Sequence, residues 1–212
     1  MFDTLPYGGR KMDATGLLNA AVNLALIEHA ELHKQWITAY ATMTGRYGVF
    51  PTHQADCRTD MLLRRLERER AVIIEKDLSD VDFSFDMQMA LSRYWMFSAY
   101  EMLRMARQLN RVPGDEALNQ LLEKFTLVRI PLAKNEIAFT NRKQTGEIML
   151  LRDGDHPSQA TAYEQKAADY IPGVFVDRDT GSVGWKVVHP QIKANIQLTR
   201  RTLSDELLAL LS

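Results

Sequence analysis

One predicted helix carries a narrow stripe of arginines and aromatic residues that could bind a polyanion. At about 100° per residue, six side chains between residues 82 and 111 fall within about 40° of a common line. They are Arg93, Phe97, Tyr100, Arg104, Arg107 and Arg111. Guanidinium groups bind phosphates and aromatic rings stack on bases, which is what a single-stranded nucleic acid site requires. The alternative, which we favour, is a seam in which the arginines pair with Glu101 and with acids on neighbouring helices.

Two histidines one helical turn apart are the second candidate for chemistry. His29 and His33 share a helix face and could bind a metal ion. The metalloprotease order His-Glu-x-x-His is absent from this segment, and no third ligand is evident because the other histidines are scattered along the chain. We therefore expect neither a metal site nor a cofactor. The single cysteine, Cys57, is expected to be a structural thiol.

The third candidate is the segment Arg129-Ile-Pro-Leu-Ala-Lys134-Asn135 on a later helix. An arginine followed by five residues and then a polar residue is similar to the Arg-x(4–6)-His motif of HEPN domains. The resemblance covers residues 14–142 and implies a small, usually dimeric helical bundle of the kind found in RNases and toxins. Asn135 occupies the histidine position and cannot transfer protons, so the resemblance implies a catalytically degenerate member whose Arg129, Lys134 and Asn135 hold phosphate. Alternatively, Arg129 and Lys134 are surface charges around a proline kink.

Composition limits the classes of protein to which the chain can belong. Its 212 residues are 46% hydrophobic and 25% charged, as in one globular domain or a domain with an appendage. The net charge of −1 provides no global field for nucleic acid, so a polyanion site would have to be a local patch. A signal peptide and an apolar run long enough for a membrane span are both lacking. With one cysteine, these features predict a cytoplasmic protein.

Helical periodicity dominates the first two thirds of the chain. Four helices are predicted, over residues 14–44, 56–77, 82–111 and 116–140, the last kinked or split at Pro131. The third is apolar on most sides, which predicts that it is the central element of a bundle. In the second, Leu62, Leu66 and Ile73 mark the predicted buried side, and the segment RRLERER at 64–70 marks the predicted solvated side.

After residue 142 the pattern changes to short strands and turns. Predicted here are strands at 146–153 and 196–199, a short helix at 160–170, and a hairpin of 173–177 with 182–188. Thr202 and Asp205 resemble a capping box ahead of a final short helix. The predicted fold class is mainly α: an up-down bundle of four to five helices with a small C-terminal α+β appendage. The bundle spans residues 1–142, with a flexible leader at 1–13, and the appendage spans 143–212 and packs on it.

Two functions remain open. The first is a non-enzymatic interaction module, expected to be a homodimer because methionine and aromatic side chains are abundant on the helices and suit helix packing. The second is a HEPN-like RNA-binding or RNA-cleaving protein. Its nucleic-acid site would comprise Arg93, Tyr100, Arg104, Arg107, Arg129, Lys134 and Asn135, converging on one cleft. The sequence leaves open whether the chain is an enzyme, and we expect no membrane partner.

Overall fold

Six α-helices and five short strands make up the described part of the chain. The structure is a computed structural model that describes residues 13–44, 51–77, 84–110, 116–140, 148–150, 161–164 and 170–211. The helices are α1 (Ala14–Glu28), α2 (Ala30–Thr44), α3 (Pro51–Glu75), α4 (Ser84–Gln108), α5 (Glu116–Lys134) and α6 (Arg200–Leu211). The predicted fold class is confirmed: the protein is mainly helical, with a small C-terminal sheet and a short terminal helix. Residues 1–12 of the predicted leader and the predicted boundary at 142–143 lie outside the described residues.

The predicted helix 14–44 is two helices, and the break falls at His29. This residue leaves the helical conformation at φ −117° and ψ 32°, although its backbone N–H still donates to the Ala25 carbonyl at 3.0 Å. At the other end of α1, the Asp13 carboxylate accepts from the Gly16 backbone N–H at 2.8 Å and caps the helix. Both α1 and α2 pack against α3.

Pro131 lies inside α5 without splitting it. The helix continues through this buried proline to Lys134 and ends at Asn135, which adopts a left-handed φ of 56°. The Asn135 backbone N–H donates to the Pro131 carbonyl at 3.0 Å, a bond that closes the last turn. The predicted helical residues 135–140 are instead turns and irregular backbone.

The C-terminal region contains two small antiparallel sheets. Strands β3 (Gly173–Val176), β4 (Val183–His189) and β5 (Ala194–Thr199) form one sheet in the order β3-β4-β5. Its first pair confirms the predicted hairpin, with Val174 opposite Trp185. The other sheet pairs β1 (Met149–Leu150) with β2 (Thr161–Ala162). The predicted helix at 160–170 is therefore wrong at its start, because β2 pairs with β1 there; residues 165–169 lie outside the described residues.

The terminal helix α6 starts directly where β5 ends. Thr199 is its cap, because the Thr199 Oγ1 accepts from the Thr202 backbone N–H at 3.1 Å. The predicted capping pair of Thr202 and Asp205 therefore lies three residues too late, inside the helix. With no loop between strand and helix, the position of α6 is set by the sheet.

The core joins the bundle and the sheet around three aromatic rings. Trp95 of α4 lies 6.5 Å from Trp36 of α2 and 6.2 Å from Phe125 of α5, measured between ring centroids. Trp185 of β4 belongs to the same apolar cluster. The buried line of α4 runs through Ser92, Trp95, Met96, Ala99, Met102, Leu103 and Ala106, whereas Met87 and Leu109 are more than half exposed. The helix is thus buried along one face rather than on most sides.

In the described part of the chain, no helix combines the length and the apolar character needed to cross a membrane.

Candidate functional site

Arg93, at the start of the predicted stripe, caps a neighbouring helix. Its Nη2 donates to the Leu132 carbonyl at 2.7 Å, one of the last carbonyls of α5 that has no partner within the helix. The guanidinium also lies 5.7 Å from the centroid of the Phe97 ring. This hydrogen bond joins α4 to α5, so Arg93 stabilises the packing of the two helices.

Glu101 pairs with two of the arginines that were predicted to form the site. Its carboxylate accepts from Arg104 Nε at 2.8 Å and from Arg129 Nη2 at 3.1 Å. The Arg129 guanidinium lies 4.6 Å from the centroid of the Tyr100 ring, a cation–π contact that places Arg129 of α5 against α4. Three of the predicted site residues therefore meet around one acid, which is the seam arrangement.

A groove of about 400 Å³ opens beside this seam. It is lined by Tyr100, Arg104, Arg107, Gln108, Leu122 and Thr126. Within the described residues, no carboxylate lies within ion-pairing distance of Arg107, which is exposed. Among the described residues, Arg104 and Arg129 pair with the carboxylate of Glu101 and Arg107 lines the same groove, so this part of the chain has a local positive excess at the groove edge.

Arg111 of the stripe lies outside the described residues. Lys134 and Asn135 follow Leu132, which Arg93 contacts, so they lie near the Arg93 end of the stripe and not at the groove. Both residues are exposed at the C-terminus of α5. Asn135 acts through its backbone: its carbonyl accepts from the Tyr170 N–H at 3.0 Å, and its left-handed φ closes the helix. The HEPN-like segment is thus a helix terminus, of which Arg129 alone contacts the groove residue Tyr100.

A second constellation, which the sequence did not predict, is a buried charge cluster between α3 and α6. Arg200 is fully buried and donates to Glu67 through two nitrogens, from Nε at 2.7 Å and from Nη2 at 2.6 Å. Its Nη1 also contacts the Asp60 carboxylate. Bidentate contact of a guanidinium with a carboxylate satisfies donors and acceptors that would be costly to bury alone.

The cluster is completed by residues from three helices, α2, α3 and α6. Asp60 accepts from Arg64 Nε at 2.8 Å, from Trp36 Nε1 at 3.0 Å and from the Ser204 hydroxyl at 2.7 Å. Arg201 donates to Glu67 from Nε at 2.7 Å. Every one of these contacts joins α3 to α2 or α6, except that between Asp60 and Arg64 within α3. The cluster therefore fixes the terminal helix onto the bundle.

Charge pairing outweighs burial in this cluster. Burial alone would raise the pKa of Asp60, but Arg200 and Arg64 hold the pKa of this carboxyl below its ordinary value. For Arg64, burial alone would lower the pKa, and the Asp60 carboxylate raises it above the ordinary value. Both groups are therefore ionised at neutral pH. Because each is paired inside the protein, the arrangement is one of structural support.

The prediction that residues 64–70 form a solvated face is wrong for three of them. Arg64, Glu67 and Arg70 are buried. A signal was present in the sequence, because Asp60, Arg64 and Glu67 follow one another at steps of four and three residues and so share a helix face. Their partners on α6 lie more than 130 residues away, and no local pattern connects the two segments.

The third feature is the bare apolar surface of α1. Ala25 is the only residue of this helix that is buried. Leu17, Leu24 and Ile27 are 53%, 50% and 76% exposed. No charged residue occurs between Ala14 and Ile27. Clustered exposed leucines on a helix without charges mark an interaction surface more often than a solvated one.

The histidine pair does not form a metal site in the described part of the chain, where no three His, Cys, Asp or Glu side chains converge. His29 and His33 each have a buried Nε2 without a hydrogen-bond partner. Burial lowers the pKa of both imidazoles, and nearby arginines lower it further: Arg64 for His29 and Arg58 for His33. The pair is therefore held in the neutral form at the junction of α1 and α2.

Comparisons of this chain with family models, with curated proteins and with solved structures found no match.

Proposed function

We propose that this chain is a non-enzymatic helical interaction module that works as a homodimer. One observation carries the proposal: α1 presents Leu17, Leu24 and Ile27 to solvent along a helix that has no charge between Ala14 and Ile27. The helix packs on α3 through its other face, and an exposed apolar surface of this kind marks a site of interaction with a partner. The buried thiol of Cys57 suits a reducing compartment, and we place the module in the cytoplasm.

The homodimer is tested by the mass of the full chain in solution. Sedimentation equilibrium across nanomolar to micromolar concentrations is expected to show a monomer–dimer equilibrium with twice the 24.2 kDa chain mass at the upper end. A chain that stays monomeric throughout this range contradicts the homodimer.

A second candidate function is the binding of single-stranded RNA along the groove between α4 and α5. It is favoured by the positive excess of Arg104, Arg107 and Arg129 over Glu101, next to the aromatic ring of Tyr100. Phosphates would contact the guanidinium groups, as polyanion sites require. Because Glu101 already occupies two of the three arginines, this candidate ranks below the interaction module.

Fluorescence anisotropy with a labelled single-stranded RNA at low salt tests this candidate. Arg107→Gln is expected to reduce the salt dependence of binding by about one unit of slope. Glu101→Gln should strengthen binding, because it releases Arg104 and Arg129 to contact phosphate. Arg178→Gln, at an exposed arginine of the hairpin turn, is the matched control and should leave binding unchanged. Absence of binding at low salt excludes the candidate.

A further inference from the structure

We infer that the partner of α1 is the same helix of a second copy, packed antiparallel across a two-fold axis between Ala20 and Ala21. This inference rests on the proposed function, and it specifies the surface and its geometry. Leu17, Ala20, Leu24 and Ile27 follow one another at steps of three, four and three residues. That spacing places them within about 80° of the helix circumference and is the seam of paired helices.

The seam is complementary to itself when the second helix runs in the opposite direction. With the axis between Ala20 and Ala21, Leu17 faces Leu24 of the second copy and Leu24 faces its Leu17. Ala14 then faces Ile27, so a small residue is opposite the most exposed large one. The two alanines at the axis let the backbones approach closely where the helices cross. Each contact occurs twice, as a two-fold interface requires.

The charged ends of the helix suit this antiparallel arrangement. Asp13, at the start of α1, is exposed and lies on the side of the seam. At the far end, Glu28 is already paired with Arg65, at 3.1 Å, and with Arg68, whose side chain is 59% exposed. In an antiparallel pair, Asp13 of one copy lies opposite Glu28 of the other, whose carboxylate is already paired with Arg65 and Arg68, and so approaches the exposed Arg68. A parallel pair would bring the two Asp13 carboxylates together instead, which is unfavourable.

Single-cysteine crosslinking distinguishes the two directions. Ala20→Cys places a thiol beside its own copy at the axis, and we expect a disulfide-linked dimer under mild oxidation. Ile27→Cys places the two thiols about 20 Å apart in the antiparallel pair but adjacent in a parallel one. The native Cys57 does not interfere, because it is buried and burial raises the pKa of its thiol to about 12. Crosslinking at residue 27 would overturn the antiparallel arrangement, whether or not residue 20 also crosslinks, because residue 20 lies beside its own copy in both directions.

Charge insertion tests whether α1 is the interface at all. Leu24→Glu is expected to weaken the dimer by at least about thirtyfold. The substitution is present in both copies, so the interface loses two half-buried leucines. Ile192→Glu is the matched control, since Ile192 is 62% exposed on the turn after β4, and the dimer should persist. Circular dichroism of both variants verifies that each is folded.

The outcomes separate this inference from the proposed function. A native chain that dimerises, together with a folded Leu24→Glu chain that dimerises equally well, overturns the α1 interface and leaves the interaction module intact. A native chain that is monomeric contradicts both. Dimerisation that is lost with Leu24→Glu, kept with Ile192→Glu, and trapped at residue 20 but not at residue 27 supports both.

Discussion

Arg200 is the side chain whose pairing with buried acids is expected to contribute most to the stability of the fold. Its guanidinium is fully buried, contacts Asp60 and Glu67, and lies 5.4 Å from the centroid of the Trp95 ring. Without a cation beside them, the buried carboxylates of Asp60 and Glu67 would strongly destabilise the fold. The guanidinium of Arg200 therefore permits both acids to be buried. Arg64 and Arg201 contribute from the edges of the cluster, where solvent reaches Arg201.

Replacing Arg200 should therefore be severe. Arg200→Met keeps much of the side-chain volume and leaves the carboxylates of Asp60 and Glu67 short of a partner, which should cost about 3–5 kcal/mol of unfolding free energy. Arg104→Met is the control, because the pair of Arg104 with Glu101 is about half exposed and should contribute less than about 1 kcal/mol. Urea denaturation followed by circular dichroism measures both. Equal stability of the two variants would show that the buried cluster is dispensable.

At the scale of the element, helix ends account for residues that looked functional. Arg93 and Asn135 both terminate α5, one by binding the Leu132 carbonyl and the other by its left-handed backbone. Asparagine is among the few residues that adopt this conformation readily, which explains its presence at the position that resembles a HEPN histidine. Similarly, Thr199 ends β5 and caps α6 with one hydroxyl.

The structural role of Asn135 makes a prediction at the same scale. Asn135→Gly should leave stability within about 0.5 kcal/mol of the native value, because glycine accepts a positive φ. Asn135→Val should lose about 1–2 kcal/mol, because a β-branched residue is strained there. Thermal unfolding of the two variants gives the comparison. If the valine variant is as stable as the glycine variant, the backbone conformation does not explain Asn135.

At the scale of the whole molecule, the polar contacts make the C-terminal region part of the core. Ser182, directly before β4, donates to Glu67 at 2.9 Å, and Gln88 of α4 donates to the Gly181 carbonyl at 2.8 Å. Gly181 has a φ of +69°, and a Cβ there would lie 1.9 Å from the Glu67 carbonyl oxygen. The hairpin turn thus approaches the backbone of α3 as closely as glycine permits. The helices and the sheet are therefore expected to unfold together.

The acid stability of the molecule follows from Asp60. The pKa of its carboxyl is held below the ordinary value in the folded state, so the group stabilises the fold at neutral pH. That contribution is complete above the unfolded pKa of about 3.9 and is lost as the pH falls through the folded value. Stability measured by urea titration should decline steeply below about pH 4. Asp60→Asn should flatten this decline, whereas Asp179→Asn, at an exposed position, should preserve it; an unchanged slope with Asp60→Asn would contradict the assignment.

Local signals account for most of the secondary structure that was predicted correctly. Helical periodicity identified α3, α4 and α5, and alternation with a Gly-containing turn identified the β3–β4 hairpin. The failures have physical causes: nothing local marks the break at His29, and Thr161–Ala162 form a strand because β1 pairs with them. Within the stripe, the predicted pairing of an arginine with Glu101 is confirmed for Arg104, whereas the Leu132 carbonyl was not predicted as the partner of Arg93.

The sequence by itself determined which residues share a helix face, because that depends only on spacing along one helix. It placed Arg93, Tyr100, Arg104 and Arg107 on one line, and Leu17 and Leu24 on another. Only the tertiary structure decided what each face meets: the Leu132 carbonyl for Arg93, the Arg129 guanidinium for Tyr100, and solvent for the leucines. It also decided that Arg64 and Glu67, in a segment that has the composition of a surface, are buried against Arg200 and Ser204. The physical reason is that burying a charge depends on a partner far away in sequence, which appears only when the chain has folded.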